Sequence, residues 1–275
     1  MIIDQHTDLY GVVGYPIGHS LSPVMHNTAF QVSGLNAVYL AFETIDIDDC
    51  LRGMKALGIK GLSVTLPFKS RVIPLLDDVD NQAKRIGAVN TIVNDNGRLK
   101  GYNTDAVGIL KSLEEELIDL SRRKCLLIGA GGAARAIGLT LKEKGTEVTV
   151  ANRSIEGGEK LARFLGCPFV PLRDIEKTKA DLIVQATPVG MYPHTEQCLI
   201  PEYLLKEAMV VMDIIYNPPE TRLVKTARKR GCRTITGLTM FVYQGAEQFR
   251  LWTDINPPIS AMKRAVKEAL NIRDE

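Results

Sequence analysis

A run of apolar residues, Cys125 to Ile128, opens into the turn Gly129-Ala130-Gly131-Gly132-Ala133-Ala134, whose G-x-G-x-x-A spacing suits a bound pyrophosphate. The first glycine permits the tight turn, the second lets phosphate approach the backbone, and the small third residue lets helix and strand pack closely. The phosphates would rest on the N-terminus of the following helix, where unpaired N–H groups and about half a positive charge point outward. Any tight strand-to-helix turn favours glycine, so the context matters. Ala133 to Leu141 carries small and apolar residues at helical spacing, and Glu147-Val148-Thr149-Val150 reads as a second strand, completing a βαβ unit. A carboxylate about 20 residues after the glycines normally holds the ribose 2′-OH of NAD. Here the chain reads Asn152-Arg153-Ser154, a guanidinium between two neutral hydrogen-bonding groups. That set accepts a 2′-phosphate, so NADP is expected over NAD; the competing reading is an arginine that merely solvates a strand end.

A second set of polar residues lies earlier. Gly14-Tyr15-Pro16-Ile17-Gly18-His19-Ser20-Leu21-Ser22-Pro23 follows an apolar strand, and Ser20 and Ser22 together suit a carboxylate. Ser22 before Pro23 also reads as a helix N-cap with proline at the first helical position. Ser63-Val64-Thr65-Leu66-Pro67-Phe68-Lys69 places the Thr65 hydroxyl and the Lys69 ammonium just past a strand C-terminus, where ligands of open α/β sheets bind. Taken alone, Lys69 is a solvated surface charge and Asp105 a favourable helix-start carboxylate. Facing each other within about 4–6 Å, they would keep the ammonium ionised and oriented for proton transfer. Asn90, in Gly87-Ala88-Val89-Asn90-Thr91, adds another hydrogen-bonding side chain.

These groups need elements to hold them. Leu9 to Val13, Pro23 to Val32, Ala37 to Phe42, Ile47 to Leu57 and Gly61 to Thr65 alternate as βαβαβ, which implies a parallel sheet with helices on its faces. Ala88 to Val93 and Arg98 to Tyr102 form a hairpin about Asn96-Gly97. A helix from Thr104 to about Leu120, capped by Thr104, connects to the glycine-turn strand. Asp181 to Gln185, Val210 to Ile215 and Arg233 to Ile235 read as further strands, and Leu238 to Trp252 and Ile259 to Ile272 as closing helices.

The 275 residues, with 45% hydrophobic and 24% charged content, suit a soluble globular chain, and the mid-chain glycine turn favours two domains. A net charge of +2, with Lys and Arg dispersed, gives nucleic-acid binding no support. Cys50, Cys125, Cys167, Cys198 and Cys232 form neither CxxC pairs nor metal-ligand spacings, and their odd number argues against a disulfide framework. His6, His19, His26 and His194 do not cluster, so no metal site is expected. No apolar run approaches the roughly 18 residues of a membrane span. Met1-Ile2-Ile3-Asp4 lacks the regions of a signal peptide, and a cytoplasmic location is expected.

The motifs Ser20-Leu21-Ser22-Pro23, Val64-Thr65-Leu66-Pro67-Phe68-Lys69, Ala88-Val89-Asn90-Thr91, Asn103-Thr104-Asp105 and Gly129-Ala130-Gly131-Gly132-Ala133 occur in the order in which they stand in the shikimate dehydrogenase family, which the chain closely resembles. The resemblance continues through Ala186-Thr187-Pro188-Val189-Gly190-Met191, Tyr216-Asn217-Pro218, Gly237-Leu238-Thr239-Met240 and Gln244. It implies an N-terminal α/β substrate domain with a mainly parallel sheet plus a Rossmann dinucleotide-binding domain, with a cleft between them. The first would comprise 1–105 completed by C-terminal helices in 240–275, and the second 106–239. The implied reaction is reversible, NADP-dependent reduction of 3-dehydroshikimate to shikimate, in the pathway to aromatic amino acids. By the same resemblance Lys69 and Asp105 are catalytic, and Ser20, Ser22, Thr65, Asn90, Tyr216 and Gln244 hold the substrate. Gly129, Ala130, Gly131, Gly132, Ala133, Asn152, Arg153, Ser154, Ile214 and Gly237 hold NADP.

Two departures stand out. Many members have Asn where this chain has Ser63, which puts in doubt any hydrogen bond that the Asn makes at the strand end. Some members have a second Arg where this chain has Gly157, which implies weaker discrimination for NADP. An NAD-accepting quinate/shikimate dehydrogenase, a non-catalytic NADP-sensing protein and, more remotely, methylenetetrahydrofolate dehydrogenase are the competing readings. Monomer and homodimer are both compatible with the sequence.

Overall fold

Strand β1 (Asp8–Gly14) is buried along all but its first two residues in the computed structural model, which describes residues 3–272. Met1, Ile2 and residues 273–275, where part of the signal-peptide reading and the end of the expected C-terminal segment fall, lie outside the described residues. Burial on both faces is what a parallel strand covered by helices requires. Around β1 the chain adds α1 (Ser22–Val32), β2 (Ala37–Glu43), α2 (Ile47–Ala56) and β3 (Gly61–Val64), then β4 (Asp78–Val79), α3 (Asn81–Ile86), β5 (Thr91–Asp95) and β6 (Arg98–Tyr102). Helix α2 shows the local logic: Asp46 caps Asp49 N–H, Asp48 and Asp49 sit in the first turn, and Lys55 sits in the last, as the helix dipole favours.

The six strands of this sheet run β2-β1-β3-β5-β6-β4, with β1 parallel to β2 and β3, and β5 antiparallel to both β3 and β6. Val13, Leu62, Val64, Phe68, Ile92 and Leu99 are packed in its core. Elsewhere Tyr10, His26, Phe30, Tyr39 and Trp252 form a ring cluster, in which His26 stacks on Tyr39 at 4.5 Å. Asn96 and Gly97 both have positive φ (51° and 91°), as a tight two-residue hairpin turn demands. The expected hairpin strand from Ala88 begins only at Thr91, because the Val89 N–H turns to the Lys69 carbonyl (2.7 Å).

After β6 come α4 (Asp105–Glu115), β7 (Lys124–Ile128), α5 (Gly132–Glu143), β8 (Glu147–Asn152), α6 (Ile155–Leu165), β9 (Phe169–Pro171), β10 (Leu182–Gln185), β11 (Val210–Asp213), α7 (Arg222–Lys229) and β12 (Arg233–Ile235). The final helices are α8 (Gly237–Thr253) and α9 (Ile259–Ala269). Strands β7 to β12 make an all-parallel sheet in the order β12-β11-β10-β7-β8-β9, the doubly wound arrangement whose order reverses between β7 and β10. Its core holds Leu127, Ile137, Leu141, Val150, Leu165 and Val184.

Helix α4 stops short of the expected Leu120. Leu117 adopts φ 50° while Ile118 N–H reaches back to Leu113 O (3.0 Å), which ends the helix and buries Ile118. Helices α3, α6 and α7 and strands β4 and β9 have no counterpart among the sequence expectations. Helix α6 begins with the unfavourable pair Gly157-Gly158 inside its first turns, and it is set by caps at its ends, Ser154 and the left-handed Gly166.

The chain divides into two units. One runs to Val107 and resumes at Val242; the other is Gly108–Phe241. All five cysteines are free, and no helix of the described residues is long and apolar enough to cross a membrane.

Candidate active site

Lys69 follows β3 and Asp105 opens α4, and in the first unit the two meet: Lys69 Nζ donates to Asp105 Oδ2 at 2.6 Å. The side chains are only 14% and 5% exposed. An ion pair this deep is no evident source of stability, because desolvation offsets its attraction, and such pairs concentrate where chemistry needs a poised charge. The second carboxylate oxygen, Oδ1, accepts from Asn90 Nδ2 at 2.9 Å, and the Asp105 N–H donates to Asn103 Oδ1 at 3.1 Å. Asn90 is itself buried, with Nδ2 also 3.0 Å from Thr104 Oγ1 and 3.4 Å from Gln244 Oε1. Thr104, expected as the cap of α4, thus spends its hydroxyl on Asn90.

The loops after β1 and β3 leave from paired strand ends: Thr65 N–H donates to Val13 O and Tyr15 N–H to Leu66 O, both at 3.0 Å. Ile17 N–H donates to Glu43 Oε2 (3.0 Å), which ties the first loop to the end of β2. Ser22 is the first helical residue of α1 and Leu21 its N-cap, which corrects the reading of Ser22 as the cap. Proline is present at the helix start as expected, but the capping role has moved: Ser20 Oγ accepts the Ser22 N–H at 3.3 Å. The hydroxyls of Ser22 and Thr65 make no hydrogen bond among the described residues, so both can still donate.

Sequence reasoning singled out Ser63 but missed the side chains joined to it behind Asn90. Ser63, Gln248 and Tyr39 are buried and joined by hydrogen bonds, with Gln248 Nε2 donating to Asn90 O at 3.1 Å. His26 is fully buried beside them, and neither ring nitrogen is hydrogen bonded. Burial drives its imidazole down to about 3, with Gln248 nearby pulling weakly the other way. The only sequence hint was a polar residue on the apolar period of α1 or α8.

In the second unit the glycine turn stands at the reversal point of the sheet. Gly129 has φ 120°, and a Cβ there would fall 2.8 Å from Ala186 O, so only glycine fits. At Gly131 an added Cβ would meet no protein atom within 4 Å; the turn is open on that side. Gly131 caps α5 without a side-chain hydrogen bond, and the first turn of α5 holds no acid, so its amides are available to an anion. These features fit a dinucleotide. Asn152 Nδ2 donates to Ser154 O (2.9 Å), and Ser154 Oγ caps α6 through Gly157 N–H (3.3 Å). Arg153 between them is exposed, and its guanidinium makes no hydrogen bond or ion pair among the described residues.

A buried network holds the adjoining loops. Gln185 at the end of β10 donates to Thr187 O and Val189 O (both 3.1 Å), while Asp213 at the end of β11 accepts from Thr221 Oγ1 (2.7 Å) and Ile215 N–H (3.1 Å). Gly237 lies against the Ile214 carbonyl, too close for any side chain. The Tyr216 ring stacks on Phe241 at 4.0 Å. Tyr216 therefore belongs to the second unit, whereas the other five expected substrate-binding residues belong to the first.

Burial pushes the Asp213 carboxyl up to about 7, against the hydrogen bonds from Thr221 and Ile215. Folded protein then keeps a proton that the unfolded chain releases near pH 4, so this group's contribution to stability falls as pH rises from about 4 to about 7 and is flat above. Urea unfolding at about pH 5 and about pH 8 measures the slope. Asp213→Asn is expected to reduce it; an unchanged slope would assign the pH dependence to other groups.

The whole chain has relatives. The profile described as shikimate dehydrogenase substrate binding domain matches residues 12–92, that of shikimate / quinate 5-dehydrogenase residues 111–220, and that of shikimate 5'-dehydrogenase C-terminal domain residues 237–267. The shikimate dehydrogenase (NADP(+)) of Thermococcus kodakarensis is 46% identical over 274 residues, covering 98% of this chain and 99% of the relative. A shikimate dehydrogenase crystallised in complex with NADP+ superposes with a TM-score of 0.92 at 41% identity, covering 98% of each chain. The Thermus thermophilus shikimate 5-dehydrogenase in complex with NADP(H) and shikimate gives 0.88 at 39%, covering 96% of this chain and all of the other. Since likeness of sequence and of backbone runs through both units from end to end, the chain belongs to the shikimate dehydrogenase family.

Proposed function

We propose that this chain is an NADP-dependent shikimate dehydrogenase, reducing 3-dehydroshikimate reversibly to shikimate in aromatic amino acid biosynthesis. The observation that carries this reading is the buried Lys69–Asp105 pair, 2.6 Å apart and held from behind by Asn90. NADPH, when bound, supplies a hydride to the ketone carbon. Lys69 Nζ polarises the ketone oxygen and gives it a proton, and in the reverse direction the neutral amine takes one. Asp105 holds the ammonium in place and aimed. Ser20, Ser22 and Thr65 bind the carboxylate and ring hydroxyls, with Asn90, Gln244 and Tyr216 completing the set. The unspent hydroxyls of Ser22 and Thr65 support that assignment.

Residues 1–105 with 240–275, which hold all of these residues but Tyr216, are the substrate and catalytic domain, and 106–239 the NADP domain. Gly129, Ala130, Gly131, Gly132 and Ala133 take the pyrophosphate, Asn152, Arg153 and Ser154 the adenosine 2′-phosphate, and Ile214 and Gly237 the nicotinamide end. The enzyme works in the cytoplasm as a monomer or homodimer. The test is an assay of reduced nicotinamide absorbance with shikimate and quinate, each with NADP and NAD. Shikimate with NADP is expected to be the fastest pair. Faster turnover of quinate with NAD would instead favour a quinate/shikimate dehydrogenase, and no turnover with any pair a binding protein.

A further inference from the structure

A side-chain amide has two ends of nearly equal size and opposite hydrogen-bonding character. Which end of Asn90 faces Asp105 is decided by neighbours that can only donate or only accept. Thr104 N–H can only donate, and it meets Asn90 Oδ1 at 2.8 Å. The Asn90 carbonyl can only accept, and it meets Gln248 Nε2 at 3.1 Å. That orients the Gln248 amide, so its Oε1 faces Ser63 Oγ at 2.8 Å and the Ser63 hydroxyl must donate to it. The Ser63 lone pairs are then free to accept from Tyr39 OH at 2.6 Å. The second Gln248 Nε2 hydrogen goes to Thr91 Oγ1 at 3.0 Å, and the Thr91 hydroxyl donates in turn to its nearest acceptor, Asn90 Oδ1, at 2.8 Å. The bonds of Thr104 N–H, Gln248 and Ser63 each have one allowed direction. Tyr39, Ser63, Thr91, Asn90 and Gln248 are all 5% exposed or less, so water does not relieve a broken link.

We infer that Gln248 is a positioning residue: from helix α8 it holds the Asn90 main-chain carbonyl and, through the Thr91 hydroxyl, backs the Asn90 Oδ1 that Thr104 N–H also fixes, so that Nδ2 faces Asp105 Oδ1 and Asp105 Oδ2 is left for Lys69. The inference rests on the proposed roles of Lys69 and Asp105. It also accounts for Ser63. Its short side chain is joined to Gln248, and the strand end is held from α8 across 185 positions of sequence.

Gln248→Met keeps the length of the side chain and removes both polar ends. It is expected to lower kcat about 10-fold, the effect of leaving one buried donor, the Ser63 hydroxyl, unpaired and the Asn90 carbonyl held by Val64 N–H alone, with KM for NADP unchanged. Tyr39→Phe, at the far end, is expected to lose less, because the bonds of Gln248 to Asn90, Thr91 and Ser63 remain when it is lost. Gln248→Glu adds a readout that packing alone does not give. Protonated, the carboxyl can donate to Asn90 O; ionised, it faces that carbonyl with a second acceptor. Its activity relative to the parent enzyme is therefore expected to rise as pH falls from about 9 to about 6, the range in which a buried Glu titrates. The facing titratable groups are Tyr39, His26, which burial holds down to about 3, and Asp105 through Asn90. Unchanged kcat in Gln248→Met, equal losses in Gln248→Met and Tyr39→Phe, or a pH-independent activity ratio for Gln248→Glu would overturn the inference. The last measurement decides if Gln248→Met fails to fold. Full activity in Lys69→Ala would remove the underlying reading, whereas an inactive Lys69→Ala beside an unaffected Gln248→Met would remove only the role of Gln248.

Discussion

Lys69→Ala is expected to lower kcat for shikimate oxidation with NADP by about 10²–10⁴-fold, the range usual for loss of a positioned general acid or base. KM for shikimate should change little, because the residues proposed to hold the carboxylate and hydroxyls are other side chains that the substitution leaves in place. The ammonium is placed for this work by Asp105 and by burial, which raises the effect of a charge on a developing oxyanion. The variant leaves the Asp105 carboxylate buried without its cation, a change that costs about 3–5 kcal/mol in comparable pairs unless the carboxyl takes up a proton. Thermal unfolding must therefore accompany the kinetics, so that lost turnover is read on folded protein. A folded Lys69→Ala with parental kcat would place the chemistry elsewhere.

Arg153→Ala is expected to raise the Kd for NADP by roughly 10- to 100-fold, from about 1.5–3 kcal/mol for a charged hydrogen bond, and to leave NAD nearly unaffected. Because Arg153 is exposed, the lower end of that range is expected, and the effect should shrink with added salt. Gly157 supplies no second cation four residues on, and the Ser154 hydroxyl is already engaged in capping α6. Arg153 is thus the one charge among Asn152, Arg153 and Ser154. Equal weakening of both cofactors, measured by fluorescence titration, would separate Arg153 from the 2′-phosphate.

The parts of this molecule written in local pattern were legible without coordinates. Strand β12 and helix α1 lie within a residue of their expected bounds, since short-range periodicity, proline and turn chemistry act over neighbouring positions. The hairpin at Asn96-Gly97 was legible for the same reason. Helices α3, α6 and α7 were not read, because each is short or interrupted by glycine and owes its limits to single caps such as Asp80, Ser154 and Thr221. Ser22 was legible as a helix start, but the sequence left open whether its hydroxyl caps the helix or serves a carboxylate, and the N-cap at Leu21 rules out the first.

By itself the sequence determined the two-part α/β plan, the glycine turn for a dinucleotide and the candidates Lys69, Asp105 and Asn90, because each is marked by residue types a few positions apart. Only the tertiary structure decided how Asn90 is oriented, what Ser63 does and why Gln248 and Tyr39 stand beside them. Gln248 meets the Asn90 carbonyl across 158 positions of chain, and a hydrogen bond between such distant residues leaves no periodic trace in either segment.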